Sequence, residues 1–239
     1  MTITGKGAFV TGSTKTVDWD LYAKCGLTWV ALQHAWTWGD VDGPMRDGGA
    51  DDEVTRTADQ LAMEFVRARA RGVDPWIWAW VVPSRVDAYV NRLRRDLELL
   101  GEAAPVGLVL NLELAEPAGP RGDRRPAWTT GSGVAAQRLM TDVRAAWPGE
   151  VWITTHGLRV ARQPWAAFRG ADGVLPQAYN PSGTYDDGFV GRCLASYADD
   201  FHDPTRRIPL LGANSTPAKV MRRFSDEAGT ARATGAAWW

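Results

Sequence analysis

Short apolar segments alternate with amphipathic segments along this chain of 239 residues. The apolar segments have the length and composition of buried β-strands. They lie at residues 7–12, 27–33, 76–82, 106–113, 151–156, 173–179, 208–214 and 235–239. Between them, apolar residues at helical spacing, with capping residues and glycines at the ends, predict helices. These helices lie at residues 17–25, 54–71, 84–100, 132–148 and 189–201, and one more begins at 216–217.

Eight strands that alternate with helices predict an α/β fold, a single compact (β/α)8 TIM barrel. We expect it to occupy residues 1–239 as one domain and to end near the eighth strand. The competing fold is a doubly wound open sheet, which usually carries a glycine-rich phosphate loop after its first strand. The segment VTGSTKT at 10–16 matches neither GxGxxG nor the Walker pattern. The sequence therefore favours the barrel.

Composition and charge exclude several function classes. The 27 Lys and Arg residues balance 28 Asp and Glu residues, so the basic surface of a nucleic-acid binder is not expected. No apolar run approaches the roughly 20 residues of a membrane span. The two cysteines and three histidines lack metal-ligand spacing, and we expect neither a metal nor another cofactor. The first residues lack a secretory signal, so we expect a protein that is cytoplasmic on synthesis.

The strand at 106–113 supplies the first catalytic candidate. Side chains alternate along a strand, and the even-numbered row of this one is entirely apolar and is expected to face the helices. The other row places Asn111 and Glu113 inside the barrel, with Glu113 at the carboxyl end. Active sites of TIM barrels lie at that end. The alternative is that Glu113 forms an ion pair with an arginine of the loop at 120–125.

The same alternation predicts which other side chains surround Glu113. They combine amides, a phenol, an imidazole and indoles, which suits a neutral polyhydroxylated ligand such as a polysaccharide. The 13 tryptophans strengthen this expectation, because a surplus of indoles is typical of grooves that stack on flat ligands. Tyr179 is expected to point into the barrel at the same end. The predicted substrate-binding residues are Gln33, Trp36, Trp80, His156, Gln177, Asn214 and Trp238.

Several motifs resemble known glycoside hydrolases. The run VGLVLNLE at 106–113 is similar to the fourth-strand signature of chitinase-type enzymes, whose Asp-x-Glu ends in the general acid. QAYN at 177–180 resembles their sixth-strand motif, and GAAWW at 235–239 resembles the end of their eighth strand. The opening segment at 7–36 is similar instead to the first β/α/β unit of Chalaropsis-type lysozymes of bacteria and phages. Both groups share the barrel and the acidic fourth strand.

The chain departs from both groups at two positions. Asn111 stands where both have Asp, and Phe9 falls near a first-strand Asp of the lysozymes. The endo-β-N-acetylglucosaminidases that carry Asn-x-Glu offer a matching mechanism, in which the acetamido oxygen of the sugar attacks the anomeric carbon. The resemblance then implies that Glu113 is the general acid and that Asn111 and Tyr179 hold the acetamido group. It also implies that Trp80 and Trp238 stack on sugar rings.

Two functions follow as hypotheses. The first is a glycoside hydrolase of β-linked N-acetylhexosamine glycans, with peptidoglycan as the first candidate substrate and chitin-like polymers as the second. Without a secretory signal, such a protein would reach a cell wall through phage lysis or as part of a virion. The second is a catalytically inactive barrel that binds glycans or serves as a structural protein of a phage tail, with virion proteins as partners.

Overall fold

A computed structural model of the protein describes residues 3–10, 17–36, 56–113, 128–178, 188–211, 218–230 and 233–238. Its eight parallel strands form a closed barrel in chain order, which confirms the predicted (β/α)8 TIM barrel. The strands are β1 Gly5–Val10, β2 Leu27–Trp36, β3 Asp74–Trp80, β4 Gly107–Asn111, β5 Glu150–His156, β6 Gly173–Gln177, β7 Leu210–Leu211 and β8 Gly235–Trp238.

Helices connect the strands on the outside of the barrel. In the described part of the chain they are α1 Trp19–Lys24, α2 Ala58–Arg69, α3 Val86–Leu100, α4 Gly133–Ala146, α5 Trp165–Phe168, α6 Phe189–Ser196 and α7 Ala218–Thr230. The sequence does not predict α5, because a segment of four residues is too short to show a helical repeat. None of the described helices is both long and apolar enough to cross a bilayer.

The strands carry one apolar layer on the side that faces the helices and another on the side that faces the interior of the barrel. Val30 and Leu32 of β2 belong to the helix-facing layer, as predicted, whereas Trp29 and Ala31 point into the barrel. The predicted inward rows of β3 and β4 are confirmed in the same way. Val106 is an exception, because it lies before β4 begins and packs against the interior instead of the helices. The buried members of this interior cluster are Ile3, Phe9, Trp29, Ala31, Trp76, Trp78, Val109, Trp152, Leu175, Ile208, Leu210 and Ala237.

Tryptophans fill the middle of the barrel. The four indoles of the interior cluster are almost fully buried, so they are core residues and do not line a ligand groove. Glycines on neighbouring strands make room for three of them. A Cβ atom at Gly7 would lie 1.9 Å from the ring of Trp29, and one at Gly107 would lie 2.2 Å from the ring of Trp76. The surplus of tryptophan therefore serves packing in large part.

We expect the Gly107→Ala variant to be destabilised by about 1–3 kcal/mol, since an added methyl group has to displace the ring of Trp76 from a closely packed core. The midpoint of urea unfolding, measured with an unchanged m-value, checks this expectation. Gly191→Ala in α6 is the matched control, because a Cβ there meets nothing within 4 Å and alanine favours a helix. Equal midpoints for the two variants would show that the glycine is not needed for packing.

A buried ionic cluster lies outside the barrel, between β2 and α3. The register of β2 shifts between Gln33 and Ala35, and His34 points toward α3. Its Nε2 lies 3.0 Å from Oδ2 of Asp96, and both side chains are buried. The same carboxylate accepts hydrogen bonds from Arg92 at 3.3 Å and from Arg95 at 3.1 Å. The cluster therefore joins a strand to the helix that covers it.

Burial and charge act in opposite directions on the two titratable groups of this cluster. Burial lowers the pKa of His34 and outweighs the hydrogen bond to Asp96, so the imidazole is held neutral. Burial alone would raise the pKa of Asp96, but His34 and the arginines overcome it and lower that pKa to about 2. The folded state therefore contains an ionised carboxylate that is removed from water.

Candidate active site

Glu113 lies at the carboxyl end of the barrel, which we call the mouth. β4 ends at Asn111, two residues earlier than the sequence predicts, so Glu113 follows the strand on a short extension. Its side chain is partly exposed. Its Oε1 accepts a hydrogen bond of 2.6 Å from Nε2 of Gln177, the last residue of β6. Two strands that are not neighbours thus bring an acid and an amide together.

Asn111 lies below Glu113 and is fully buried. Its Oδ1 accepts a second hydrogen bond from Nε2 of Gln177, at 3.2 Å. Its Nδ2 has no hydrogen-bond partner among the described residues. A buried N–H group without a partner costs about 1–3 kcal/mol, and such groups in native proteins commonly meet a ligand or water. Nδ2 of Asn111 is therefore a buried donor that no described residue uses.

The neighbours of Asn111 in the sheet are Trp80 of β3 and Thr154 of β5. Trp80 ends β3, is partly exposed and packs against the interior cluster. The hydroxyl of Thr154 donates to the carbonyl oxygen of Leu175 at 2.8 Å. Asn111 is therefore held between an indole and a hydroxyl that already has an acceptor.

Two side-chain hydrogen bonds hold the backbone carbonyl group immediately before Glu113. The carbonyl oxygen of Leu112 accepts from Oγ1 of Thr155 at 3.0 Å and from Nε2 of Gln163 at 2.8 Å. Gln163 also donates to Thr155 at 2.9 Å, and both side chains are buried. The sequence analysis missed Gln163, because it lies between β5 and α5 and belongs to no periodic pattern. Its role is to hold the chain that presents Glu113.

The remaining predicted residues fall in different places. Gln33 is fully buried and pairs with Trp78 in the sheet, so it lies below the mouth. His156 pairs with Gln177 at the mouth and is partly exposed. Trp36 ends β2 opposite Trp80, and nothing is described of its side chain.

Tyr179 and Asn214 lie outside the described residues, so their predicted roles stay predictions. Trp238 is predicted near the end of the eighth strand; in the structure Ala237 belongs to the interior cluster, whereas Trp238 packs against a cluster on the helix side. The buried members of the cluster against which it packs are Ala178, Val190, Cys193, Leu194, Leu211, Ala228 and Ala236. The structure does not place Trp238 in the interior cluster, and its predicted stacking on a sugar ring stays a prediction.

The described strand ends carry no second acid beside Glu113. The last residues of the eight strands are Val10, Trp36, Trp80, Asn111, His156, Gln177, Leu211 and Trp238. Phe9 is buried and packs edge-on against Trp29 and Trp78, so it contributes an apolar side chain where a lysozyme-like acid was considered. Among the described residues no group of three His, Cys, Asp or Glu side chains is placed to hold a metal ion. The chemistry of these strand ends therefore depends on one carboxylate and two amides.

Neither a family model nor a curated protein sequence matches the chain. Solved structures do match its fold. An exo-β-1,4-mannosidase from Opitutaceae bacterium strain TAV5 is 16% identical with a TM-score of 0.61, over 99% of this chain and 52% of that one. This chain therefore spans about half the length of the mannosidase.

Two other solved structures match over more of their own length. The catalytic domain of a chitinase from Pyrococcus furiosus is 12% identical with a TM-score of 0.64, over 100% and 84% of the two chains. The spore cortex-lytic enzyme SleL of Bacillus cereus is 10% identical with a TM-score of 0.59, over 99% and 70%. At these identities the likeness establishes the TIM barrel fold.

Proposed function

We propose that this barrel is a glycoside hydrolase that cleaves β-linked N-acetylhexosamine glycans, with peptidoglycan as the first candidate substrate and chitin-like polymers as the second. The observation that carries the proposal is the arrangement of Glu113 and Asn111. An acid is partly exposed at the mouth, and directly below it lies a buried amide whose N–H group has no partner in the described part of the chain.

One carboxylate is sufficient for a substrate-assisted reaction. Glu113 protonates the glycosidic oxygen while the acetamido oxygen of the substrate attacks the anomeric carbon, and the leaving sugar departs as an alcohol. The resulting cyclic intermediate is opened by water, whose proton returns to Glu113. The protein supplies an acid and a holder for the acetamido group, which is the role we assign to Asn111. Such a path does not need the second carboxylate of the two-carboxylate mechanisms.

The solved structures of similar fold support the broader class. They include a chitinase and a spore cortex-lytic enzyme, and also a β-1,4-mannosidase. A sugar without an acetamido group would lack the internal nucleophile that has to replace a second carboxylate, and the described strand ends supply none beside Glu113. The residues at the mouth therefore favour the N-acetylated polymers over mannan.

An assay of new reducing ends tests the proposal. The protein is incubated with peptidoglycan, with a chito-oligosaccharide and with a manno-oligosaccharide, and the products are resolved by mass spectrometry. We expect fragments from one or both N-acetylated substrates and none from the mannan substrate. Cleavage of mannan alone would overturn the proposed substrate class.

A specific observation also favours the second candidate function, a glycan-binding barrel without activity. Asn111 replaces the acid of the chitinase-type signature, and the described strand ends add no other. This function predicts that the same chito-oligosaccharide binds, as measured by calorimetry, and is recovered intact at every pH. Turnover in the reducing-end assay decides against it.

A further inference from the structure

Gln177 contacts both functional side chains through the same atom. Its Nε2 donates one hydrogen to Oε1 of Glu113 at 2.6 Å and the other to Oδ1 of Asn111 at 3.2 Å. An amide nitrogen has two hydrogens, and both are used here. The three side chains therefore form a relay in which the orientation of each amide depends on its neighbour.

The charge of Glu113 fixes the direction of this relay. An ionised carboxylate only accepts hydrogen bonds, so Gln177 has to present its nitrogen. Asn111 then has to present its oxygen to Gln177, because two N–H groups cannot bond to each other. The unpaired Nδ2 of Asn111 is the result. With Glu113 ionised, the buried amide offers a ligand a donor and no acceptor.

Protonation of Glu113 removes this constraint. A neutral carboxyl can donate its proton, so Gln177 can rotate by half a turn and accept from Glu113 through its oxygen. The same oxygen can accept from Nδ2 of Asn111 once that amide has also turned. Oδ1 of Asn111 then faces the ligand. The change requires one proton from solvent and no other reactant.

We propose that Gln177 is a positioning residue that sets the hydrogen-bond polarity of Asn111 and couples it to the protonation of Glu113. This inference rests on the proposed function, because it specifies how the acetamido group is selected. The N–H of an acetamido group needs an acceptor, which Asn111 offers after inversion of the relay. A sugar hydroxyl can both donate and accept, so it binds either state. Preference for N-acetylated glycans is therefore greatest when Glu113 carries its proton and can act as the acid.

The neighbouring titratable groups have to be separated from this effect. Trp80 on β3 and Thr154 on β5 do not titrate in the relevant range. His156 ends β5, pairs with Gln177 in the sheet and is partly exposed, so the test has to control for its charge. The variant His156→Gln removes this second titration while Glu113 is retained.

The test follows the ligand-free protein by NMR from about pH 3 to pH 8, a range that spans carboxyl and imidazole titration. The 13C carboxyl signal of Glu113 reports its protonation, and the 15N side-chain signals of Asn111 and Gln177 report amide hydrogen bonding. We expect the three signals to move with one midpoint, in the native protein and in His156→Gln alike. Amide signals that stay constant while Glu113 titrates would overturn the inference.

Two variants complete the test. Gln177→Met removes the amide with little change in size, and we expect it to abolish the dependence of the Asn111 signal on Glu113. Gln137→Met, on the exposed face of α4, is the matched control and should leave the dependence intact. If Gln177 had a structural role alone, Gln177→Met would shift the Asn111 signal at every pH and leave its dependence on Glu113 in place. If Gln177→Met does not fold, the native titration still decides the question.

A binding measurement separates this inference from the proposed function. Affinities for a chito-oligosaccharide and for a cello-oligosaccharide, which has hydroxyls in place of acetamido groups, are measured across the same pH range. We expect the ratio of the two affinities to rise by about tenfold as Glu113 becomes protonated, the equivalent of one hydrogen bond. A ratio that does not change with pH contradicts the coupling even when hydrolysis occurs. If the amide signals are coupled to Glu113 but the protein binds neither sugar, the coupling is supported and the proposed function is contradicted.

Discussion

The Glu113→Gln variant is expected to lose about 10²–10⁴-fold in kcat on the glycan that the native protein cleaves, because a positioned general acid contributes that factor. Glutamine keeps the size of the side chain, and its amide N–H can donate to the oxygen of Gln177 as the protonated carboxyl does. We therefore expect the relay geometry and the KM to change little. Initial rates of reducing-end release, measured at saturating substrate, give the comparison.

The matched control for this prediction is Glu98→Gln on the exposed side of α3. It removes the same charge at a distance from the mouth and should retain the native rate. A Glu113→Gln protein that keeps more than about a tenth of the native kcat would show that the proton comes from another group.

The Asp96→Ala variant is expected to lose about 3–5 kcal/mol of the free energy of unfolding, because removal of one partner leaves the others buried without compensation. Asp96 accepts from His34, Arg92 and Arg95, and the side chains of Asp96, His34 and Arg92 are buried. Urea unfolding at neutral pH measures the loss. Asp87→Ala is the matched control, since its ion pair with Arg138 is exposed and such pairs contribute about 0–1 kcal/mol.

The pH dependence of stability gives a second measurement, in which Asp96→Ala is compared with the native protein. The pKa of Asp96 is lowered to about 2 in the folded state, from 3.8. A lowered carboxyl pKa contributes stability above the unfolded value and loses it as the pH falls toward the folded value. The native protein should therefore lose this contribution between about pH 4 and pH 2, whereas Asp96→Ala should lack that part of the decline. Identical acid profiles for the two proteins would mean that this carboxylate does not stabilise the fold.

The sequence predicts the barrel and most of its inward-facing rows, because the two rows of side chains on most strands differ clearly in polarity or size. In β4 the even-numbered residues are all apolar, which leaves one choice for the row that contains Asn111 and Glu113. β8 has no such contrast, since Ala236 and Ala237 are equally small and apolar. The sequence therefore gives no basis for assigning Trp238 to a face, and the structure places it against the cluster on the helix side. The inward-facing row of a strand can be identified from the sequence only where its two rows of side chains differ in polarity or size.

The hydrogen bonds of Gln177 and the packing of the indoles could not be predicted from the sequence, because they are contacts between different strands. Glu113 and Gln177 were both expected at the mouth, but a hydrogen bond from one amide to both Glu113 and Asn111 depends on the closure of the barrel. The core role of the indoles depends on glycines of adjacent strands, such as Gly107 beside Trp76. A pattern within one strand does not contain this information.

The position of a bound glycan tests the central claim most directly. A crystal structure of Glu113→Gln with a chito-oligosaccharide, in which cleavage is blocked, would locate the glycosidic oxygen and the acetamido group. The account predicts the glycosidic oxygen within about 3 Å of the amide at position 113 and the acetamido group against Asn111. A sugar chain bound elsewhere, with the mouth beside Gln177 empty, would contradict it.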